Sequence, residues 1–156
     1  MDLSIRAKEL ILGSNYLTLA TSDANDTWVA PLGYACDENF IFYFISEHQS
    51  RHALHIAANP NVAFAIYDST LLPQDANGLQ VSAHAGVVAT EEIPHAISVV
   101  YHKFGRDLLE FRFPNWQDPT SYLDLSKFRI YKLTPTHFYM LDPEIEKSDK
   151  RIEIKL

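Results

Sequence analysis

Residues 50 to 52 are the part of the sequence best suited to binding an anion. Ser50, Arg51 and His52 come in succession and open an apolar-periodic stretch that ends at Asn59-Pro60. Backbone N–H groups and the dipole at a helix N-terminus favour negative charge, and a guanidinium matches the geometry of phosphate. The segment is therefore suited to a phosphate site at the start of a helix over 51–58. The alternative is an ordinary N-cap followed by a surface arginine, and the local residues alone favour this alternative.

Other side chains with chemical potential form weaker patterns. His48, His52 and His55 lie close in sequence, but no nearby carboxylate or Cys completes a metal-ligand set except Glu47. We therefore expect no metal and interpret these histidines as solvated. Cys36 has no suitably spaced base, which favours a small buried residue over a nucleophile.

Hydrophobic periodicity gives the elements that would position these residues. Strands are predicted over 16–21, 27–36, 40–46, 62–68, 79–90, 127–141 and 151–156, and helices over 3–11, 51–58 and 97–104. The stretch 106–125 is interpreted as irregular. Short turns between strands and few helices favour a mainly β, α+β fold: a six- to seven-stranded antiparallel split barrel with peripheral helices.

Three local features sharpen this fold prediction. Pro31 cannot donate to a sheet ladder, so the strand over 27–36 should lie at an edge or bulge there. The continuous apolar run 40–46 predicts burial on both faces. The aromatic stretch 110–118 could cover a flat ligand, lie in a subunit interface or form a satellite core.

Composition limits the classes of function. The 156 residues suit one domain spanning 1–156, and the net charge of −7 argues against binding nucleic acid. The chain has one cysteine, no recognisable signal peptide and no apolar stretch long enough to span a membrane. We expect a cytoplasmic protein that associates with neither nucleic acid nor membrane.

The stretches "FIFYFIS", "SRHALHIAANPNVAFAIYD" and "GLQVSAHAGVV" resemble the pyridoxamine 5′-phosphate oxidase-like FMN-binding split barrels. The resemblance implies an FMN cofactor between the two subunits of a homodimer. It also implies flavin redox chemistry on a small-molecule substrate, with no catalytic side chain that we can assign. The implied cofactor-binding residues are Ala30, Pro31 and Leu32 on the second strand, Phe44, Ile45 and Ser46 at the end of the third, the triplet Ser50, Arg51 and His52, and Gln80 on the fifth strand.

The sequence also departs from the family pattern. His52 stands where the family has a Lys, and the second strand lacks the usual Arg. The substrate-phosphate residues of the oxidase have no counterpart, so we expect a relative with another substrate. Two alternatives stay open: a non-catalytic haem or flavin carrier on the same barrel, with His84 and His137 as candidate axial ligands, and an interaction protein that has lost its cofactor.

Overall fold

The computed structural model describes residues 2–113, 115–118, 127–142 and 150–156 of the chain. In chain order its elements are α1 (Leu3–Gly13), β1 (Tyr16–Ser22), β2 (Thr27–Gly33), β3 (Ala35–Cys36), β4 (Phe42–Glu47), α2 (Arg51–Ala58), β5 (Asn61–Tyr67), β6 (Gly78–Val87), α3 (Ile93–Phe104), α4 (Arg106–Arg112), β7 (Phe128–Leu141) and β8 (Arg151–Ile154). The mainly β, α+β prediction is confirmed.

One antiparallel sheet carries the fold and curls back on itself. Its strand order is β2-β1-β5-β6-β7-β4-β3, with β8 also paired to β7. β2 and β3 lie at opposite ends of this order, yet only Tyr34 separates them in sequence. The two ends of the sheet must therefore meet, which produces the predicted split barrel.

The strand predicted over 27–36 is two strands, so the described residues contain eight strands where six or seven were expected. Tyr34 interrupts it: its side chain is fully buried and its hydroxyl donates to the Ile11 carbonyl at 2.6 Å. The prediction that Pro31 lies on an edge strand is confirmed, because β2 is a terminal strand of the sheet.

Of the predictions for the C-terminal half of the chain, the strand over 127–141 is confirmed and the irregular segment over 106–125 is partly wrong. The strand predicted over 127–141 forms as β7, and its pairing with β6 shifts register next to Pro135. The interpretation of 106–125 as wholly irregular is wrong at its start, where α4 follows α3 directly. Gly105, at φ 76°, turns the chain between the two helices.

The apolar side chains form two clusters. The first fills the barrel and includes Leu19, Phe42 and Phe64. The second lies beneath α3 and α4 and includes Tyr43 and Ile130. Because consecutive residues of β4 enter different clusters, both faces of this strand are buried, as its continuous apolar run predicted.

In the aromatic stretch 110–118, Phe113 and Trp116 belong to the second cluster, while Phe111 is 75% exposed. Phe113 is buried there, and Trp116 packs against the cluster while stacking on Tyr101 at 5.6 Å between ring centroids. This favours the satellite core among the three earlier interpretations; Pro114 lies outside the described residues. None of the described helices is long and apolar enough to cross a membrane.

Candidate functional site

Helix α2 begins and ends where its sequence specifies. Ser50 has extended backbone angles (φ −64°, ψ 154°), and its hydroxyl accepts from the Ala53 N–H at 3.4 Å. At the other end Asn59 stops the helix before Pro60, a residue that disfavours helical geometry in its predecessor. The helix N-terminus is thereby placed directly after the end of β4.

The end of β4 and the start of α2 share a cluster of hydroxyl and imidazole groups. His52 Nε2 lies 2.6 Å from Ser46 Oγ and 3.1 Å from Ser50 Oγ, and the two hydroxyl oxygens are 3.4 Å apart. Burial, and to a lesser extent the nearby His55, lowers the pKa of His52. At neutral pH His52 is therefore uncharged: it supplies hydrogen bonding here but not the positive charge that a Lys would supply.

Arg51 is held by a carboxylate and an aromatic ring. Its Nε and Nη2 lie 2.6 and 2.5 Å from Asp26 Oδ2, and its guanidinium stacks over Trp28 at 4.1 Å from the ring centroid. The hydrogen bond from Arg51 is the main cause that lowers the pKa of Asp26. The Arg51 side chain is still 48% exposed. An incoming phosphate can reach it, but must displace Asp26.

His55 extends this network into the barrel end. Its Nδ1 lies 3.0 Å from Thr21 Oγ1, and its Nε2 lies 3.2 Å from Asp26 Oδ2. His52 and His55 are 8% and 4% exposed, so the interpretation of these two histidines as solvated is wrong. Both ring nitrogens of His55 have partners, and these interactions compensate the free-energy cost of burying the ring.

A second part of the candidate site is the outer face of the barrel, defined here as the outward side chains of β1, β2, β5, β6 and β7. The pairing register aligns Ala20, Ala63, Ser82 and His137 in one row. The next row runs through Pro31, Thr18, Ala65, Gln80 and Tyr139. Small side chains occupy the middle of both rows, and those of the first row line an open depression of about 700 Å³.

The sequence-predicted residues divide between these two places. Ser46, Ser50, Arg51 and His52 come together at the start of α2. Pro31 and Gln80 are exposed in one row of the outer face, three strand spacings apart, or roughly 14 Å.

The other four predicted residues direct their side chains elsewhere. Ala30 is buried, and Leu32 packs against the barrel cluster. Phe44 is buried and stacks on Tyr131 with ring centroids 5.0 Å apart, and Ile45 packs against the second cluster. The side chains at these four positions pack inside the protein, so only their backbone could contact a ligand.

Asp26, Thr21 and His55 were missed as members of the site. A usable signal existed for Thr21, since Leu17, Leu19 and Thr21 alternate along β1 and all three are buried. Burial raises the pKa of the Cys36 thiol to about 12, which agrees with its interpretation as an unreactive residue. Among the described residues no group of three or more His, Cys, Asp or Glu side chains is arranged to hold a metal ion.

Solved structures share this architecture. HutZ, the haem storage protein from Vibrio cholerae, is 25% identical, with 87% of this chain and 92% of that chain covered and a TM-score of 0.68. A haem-binding protein from Mycobacterium smegmatis is 15% identical over 96% of this chain and 56% of that one, with a TM-score of 0.72. General Stress Protein 26 from Bacillus anthracis is 19% identical over 99% and 100%, with a TM-score of 0.66. No curated protein matches significantly.

The family model for pyridoxamine 5′-phosphate oxidase matches residues 3–142. This range contains the polar cluster at α2, the ion pair of Arg51 and the rows of the outer face. Because the match covers most of the sequence and the fold agrees with it, the chain belongs to the pyridoxamine 5′-phosphate oxidase family.

Proposed function

We propose that the protein binds FMN and acts as an FMN-dependent oxidoreductase on a small-molecule substrate. The observation that carries this proposal is the cluster of Ser46, Ser50 and His52 beside Arg51, at the point where β4 ends and α2 begins. Three hydrogen-bonding side chains meet there, and Arg51 adds a cation in the same first turn of α2, where it is paired with Asp26. A helix N-terminus lies next to them, and this is a common arrangement around a phosphate.

The residues present fit FMN with one condition. Ser46, Ser50 and His52 offer hydrogen bonds without charge, so Arg51 and the helix dipole must balance the phosphate. Arg51 is partly exposed and can do so once Asp26 releases it. The condition is therefore an exchange of one anion for another at the same guanidinium.

When bound, FMN supplies two-electron redox chemistry. The chain's own contribution is to bind and orient the cofactor. The exposed Gln80 amide can hydrogen-bond a polar ring edge, and Pro31 presents a rigid surface in the same row of the outer face. The backbone of residues 30–32 and 44–46 would line the ring, since most side chains there point inward.

FMN and riboflavin titrations, followed by quenching of flavin fluorescence, test the phosphate site. Arg51→Gln should weaken FMN binding by roughly 10- to 100-fold, the range for losing a charge-assisted hydrogen bond, and leave riboflavin binding unchanged. Arg106→Gln is the matched control, because Arg106 is also an exposed arginine paired with a carboxylate. Equal binding of FMN by Arg51→Gln and wild type would refute the assignment. Mass spectrometry of the ligand on freshly purified protein provides an independent test.

A homodimer is part of the proposal, with FMN between the subunits. The small side chains at the centre of the outer face support it, since they let two sheets approach closely. Ala63→Glu, at the centre of this face, should shift the protein to monomer in analytical ultracentrifugation. Ala57→Glu on the exposed side of α2 should leave the sedimentation unchanged. A wild-type monomer at all concentrations would contradict the dimer.

The single, half-buried Cys36 suits a reducing cytoplasm.

Haem binding is the second candidate function. The similarity to HutZ favours it, and so does a pocket of about 700 Å³ on the outer face that His84 helps to line. His84 and His137 are both exposed on this face and could each offer an imidazole to iron. Haem titration should then give a Soret band that shifts in His84→Ala or His137→Ala. A spectrum identical to that of free haem would exclude this candidate.

A further inference from the structure

A groove lies at the edge of the outer face nearest to α1. It has a volume of about 630 Å³, within the usual range for small-molecule sites, and opens between the end of α1 and the turn that follows β5. Its walls include Glu9 of α1, Tyr16 of β1, Pro31 of β2, Tyr67 of β5, and Asp68 and Asn77 from the turn. The proposed FMN function leaves most of these residues unused.

The ionisable side chains of the groove that carry charge at neutral pH are negative. Glu9 and Asp68 contribute carboxylates, and none of the described residues lining the groove is Lys, Arg or His. Asp68 Oδ1 accepts hydrogen bonds from the Thr70 backbone N–H at 2.9 Å and the Thr70 hydroxyl at 2.6 Å. These bonds lower the pKa of Asp68, so its charge persists at neutral pH. An anionic ligand would be repelled.

Two aromatic rings stand free at the groove. Tyr16 and Tyr67 are 68% and 58% exposed, although rings of this size are usually more buried. The face of an aromatic ring attracts organic cations through its quadrupole. The rings therefore favour the same sign of ligand charge as the two carboxylates.

The side-chain oxygen of Asn77 is an acceptor to which no donor of the described residues is hydrogen-bonded. Its Oδ1 is shielded from solvent and, among the side-chain atoms of the described residues, is the buried nitrogen or oxygen that lacks a hydrogen-bond partner. A buried acceptor left unpaired costs free energy. Because this oxygen is shielded, an N–H donor on a ligand in the groove reaches it only after the Asn77 side chain turns toward the groove that it lines.

We propose that this groove binds a primary organic ammonium compound that carries no phosphate or carboxylate. The ammonium group lies against the carboxylates of Glu9 and Asp68 and donates toward Asn77 Oδ1, while its apolar part packs on Tyr16 and Tyr67. Pro31 borders both this groove and the region proposed to hold the flavin ring. The inference does not need bound flavin and is tested on flavin-free protein.

Three probes of similar shape separate the contributions: 2-phenylethylamine (cationic at neutral pH), 2-phenylethanol (neutral) and 3-phenylpropionate (anionic). Titration calorimetry at low salt should show the amine binding at least tenfold more tightly than the alcohol, and the carboxylate not binding. Added NaCl should weaken the binding of the amine, because salt screens the attraction between its charge and the carboxylates. Amide chemical shifts should change at Tyr16, Tyr67 and Asn77, and remain constant at His84.

The exposed Glu9 gives a variant that should fold normally. Glu9→Gln should lower the affinity for the amine about fivefold, as expected for losing one charge near the protein surface, and leave the affinity for the alcohol unchanged. Glu91→Gln, at an exposed glutamate outside the groove, is the control and should have no effect. Equal affinity for the three probes, no saturable amine binding, or shift changes away from the groove would each overturn the inference.

Discussion

The polar groups at the start of α2 and those of the groove beside α1 differ in how far they satisfy one another. At α2, Arg51, His52 and His55 each contact a carboxylate or hydroxyl of the same chain. In the groove, two tyrosine rings are exposed and the Asn77 side-chain oxygen has no partner. The first region is internally paired, while the second leaves one acceptor unpaired and two ring faces exposed.

This difference separates two uses of polar residues. A fully paired network stabilises the fold and must exchange partners before it binds anything. An unpaired set contributes little to folding and can bind a ligand without first breaking hydrogen bonds within the chain. Variants in the α2 network should therefore change stability first, and variants in the groove should change binding with little effect on stability.

The largest effect is expected at His55. His55→Ala removes the partner of Thr21 and leaves both a cavity and an unpaired buried hydroxyl. We expect the free energy of unfolding to fall by roughly 2–4 kcal/mol, measured by urea denaturation. His48→Ala should cost less than about 0.5 kcal/mol, because the His48 ring bonds only to the neighbouring Gln49 among its described contacts. Similar losses in the two variants would show that the paired network does not stabilise the barrel end.

Asp26→Asn should convert the paired region into an open one. Losing the carboxylate frees Arg51 for an incoming phosphate, and FMN affinity should rise about fivefold, the scale of an exposed ion pair. Asp23→Asn is the control: its carboxylate lies 3.8 Å from His55 Nε2 and is not paired with Arg51. If FMN binds less tightly to Asp26→Asn than to wild type, Asp26 positions Arg51 instead of competing for it.

The pH dependence of stability should carry the signature of His52. Burial lowers its pKa in the folded state below the ordinary value of 6.5, so the unfolded chain binds a proton first as pH falls. Stability from this residue is thus complete above pH 6.5 and is lost as pH decreases below it. His52→Gln should flatten the decline in unfolding free energy between pH 7.5 and 5.5. An unchanged slope in His52→Gln would assign the decline to another group.

The sequence predicted what depends on neighbours along the chain. The Ser50 cap, the stop at Asn59-Pro60 and the two buried faces of β4 are local patterns, and the structure confirms each. The stretch 106–125 contains Pro114 and Pro119, and prolines also follow helices that have already ended. A segment with prolines at these positions can therefore begin with a helix, as α4 shows.

The paired network could not be predicted in the same way. Arg51 meets Asp26 across 25 residues and His55 meets Thr21 across 34, because β1 and β2 form a hairpin whose tip lies against α2. Asp23 and Asp26 lie in the turn of this hairpin, and aspartate is so common in turns that their positions need no further explanation. That Asp26 faces an arginine follows only from the packing of the hairpin tip against α2, which no pattern within either segment specifies.

The smallest effect is expected at Asn77, where the comparison is sharpest. Asn77→Leu removes an acceptor that has no partner, so the free energy of unfolding should change by less than about 0.5 kcal/mol or rise slightly. Asn59→Leu is the matched substitution in the paired region, where the side chain donates to Ser22 Oγ at 3.3 Å and accepts from the Asn61 N–H at 3.1 Å. It should cost about 1 kcal/mol in the same denaturation experiment. An equal cost at both positions would mean that Asn77 is paired in solution, and the groove would then lack the unpaired acceptor attributed to it.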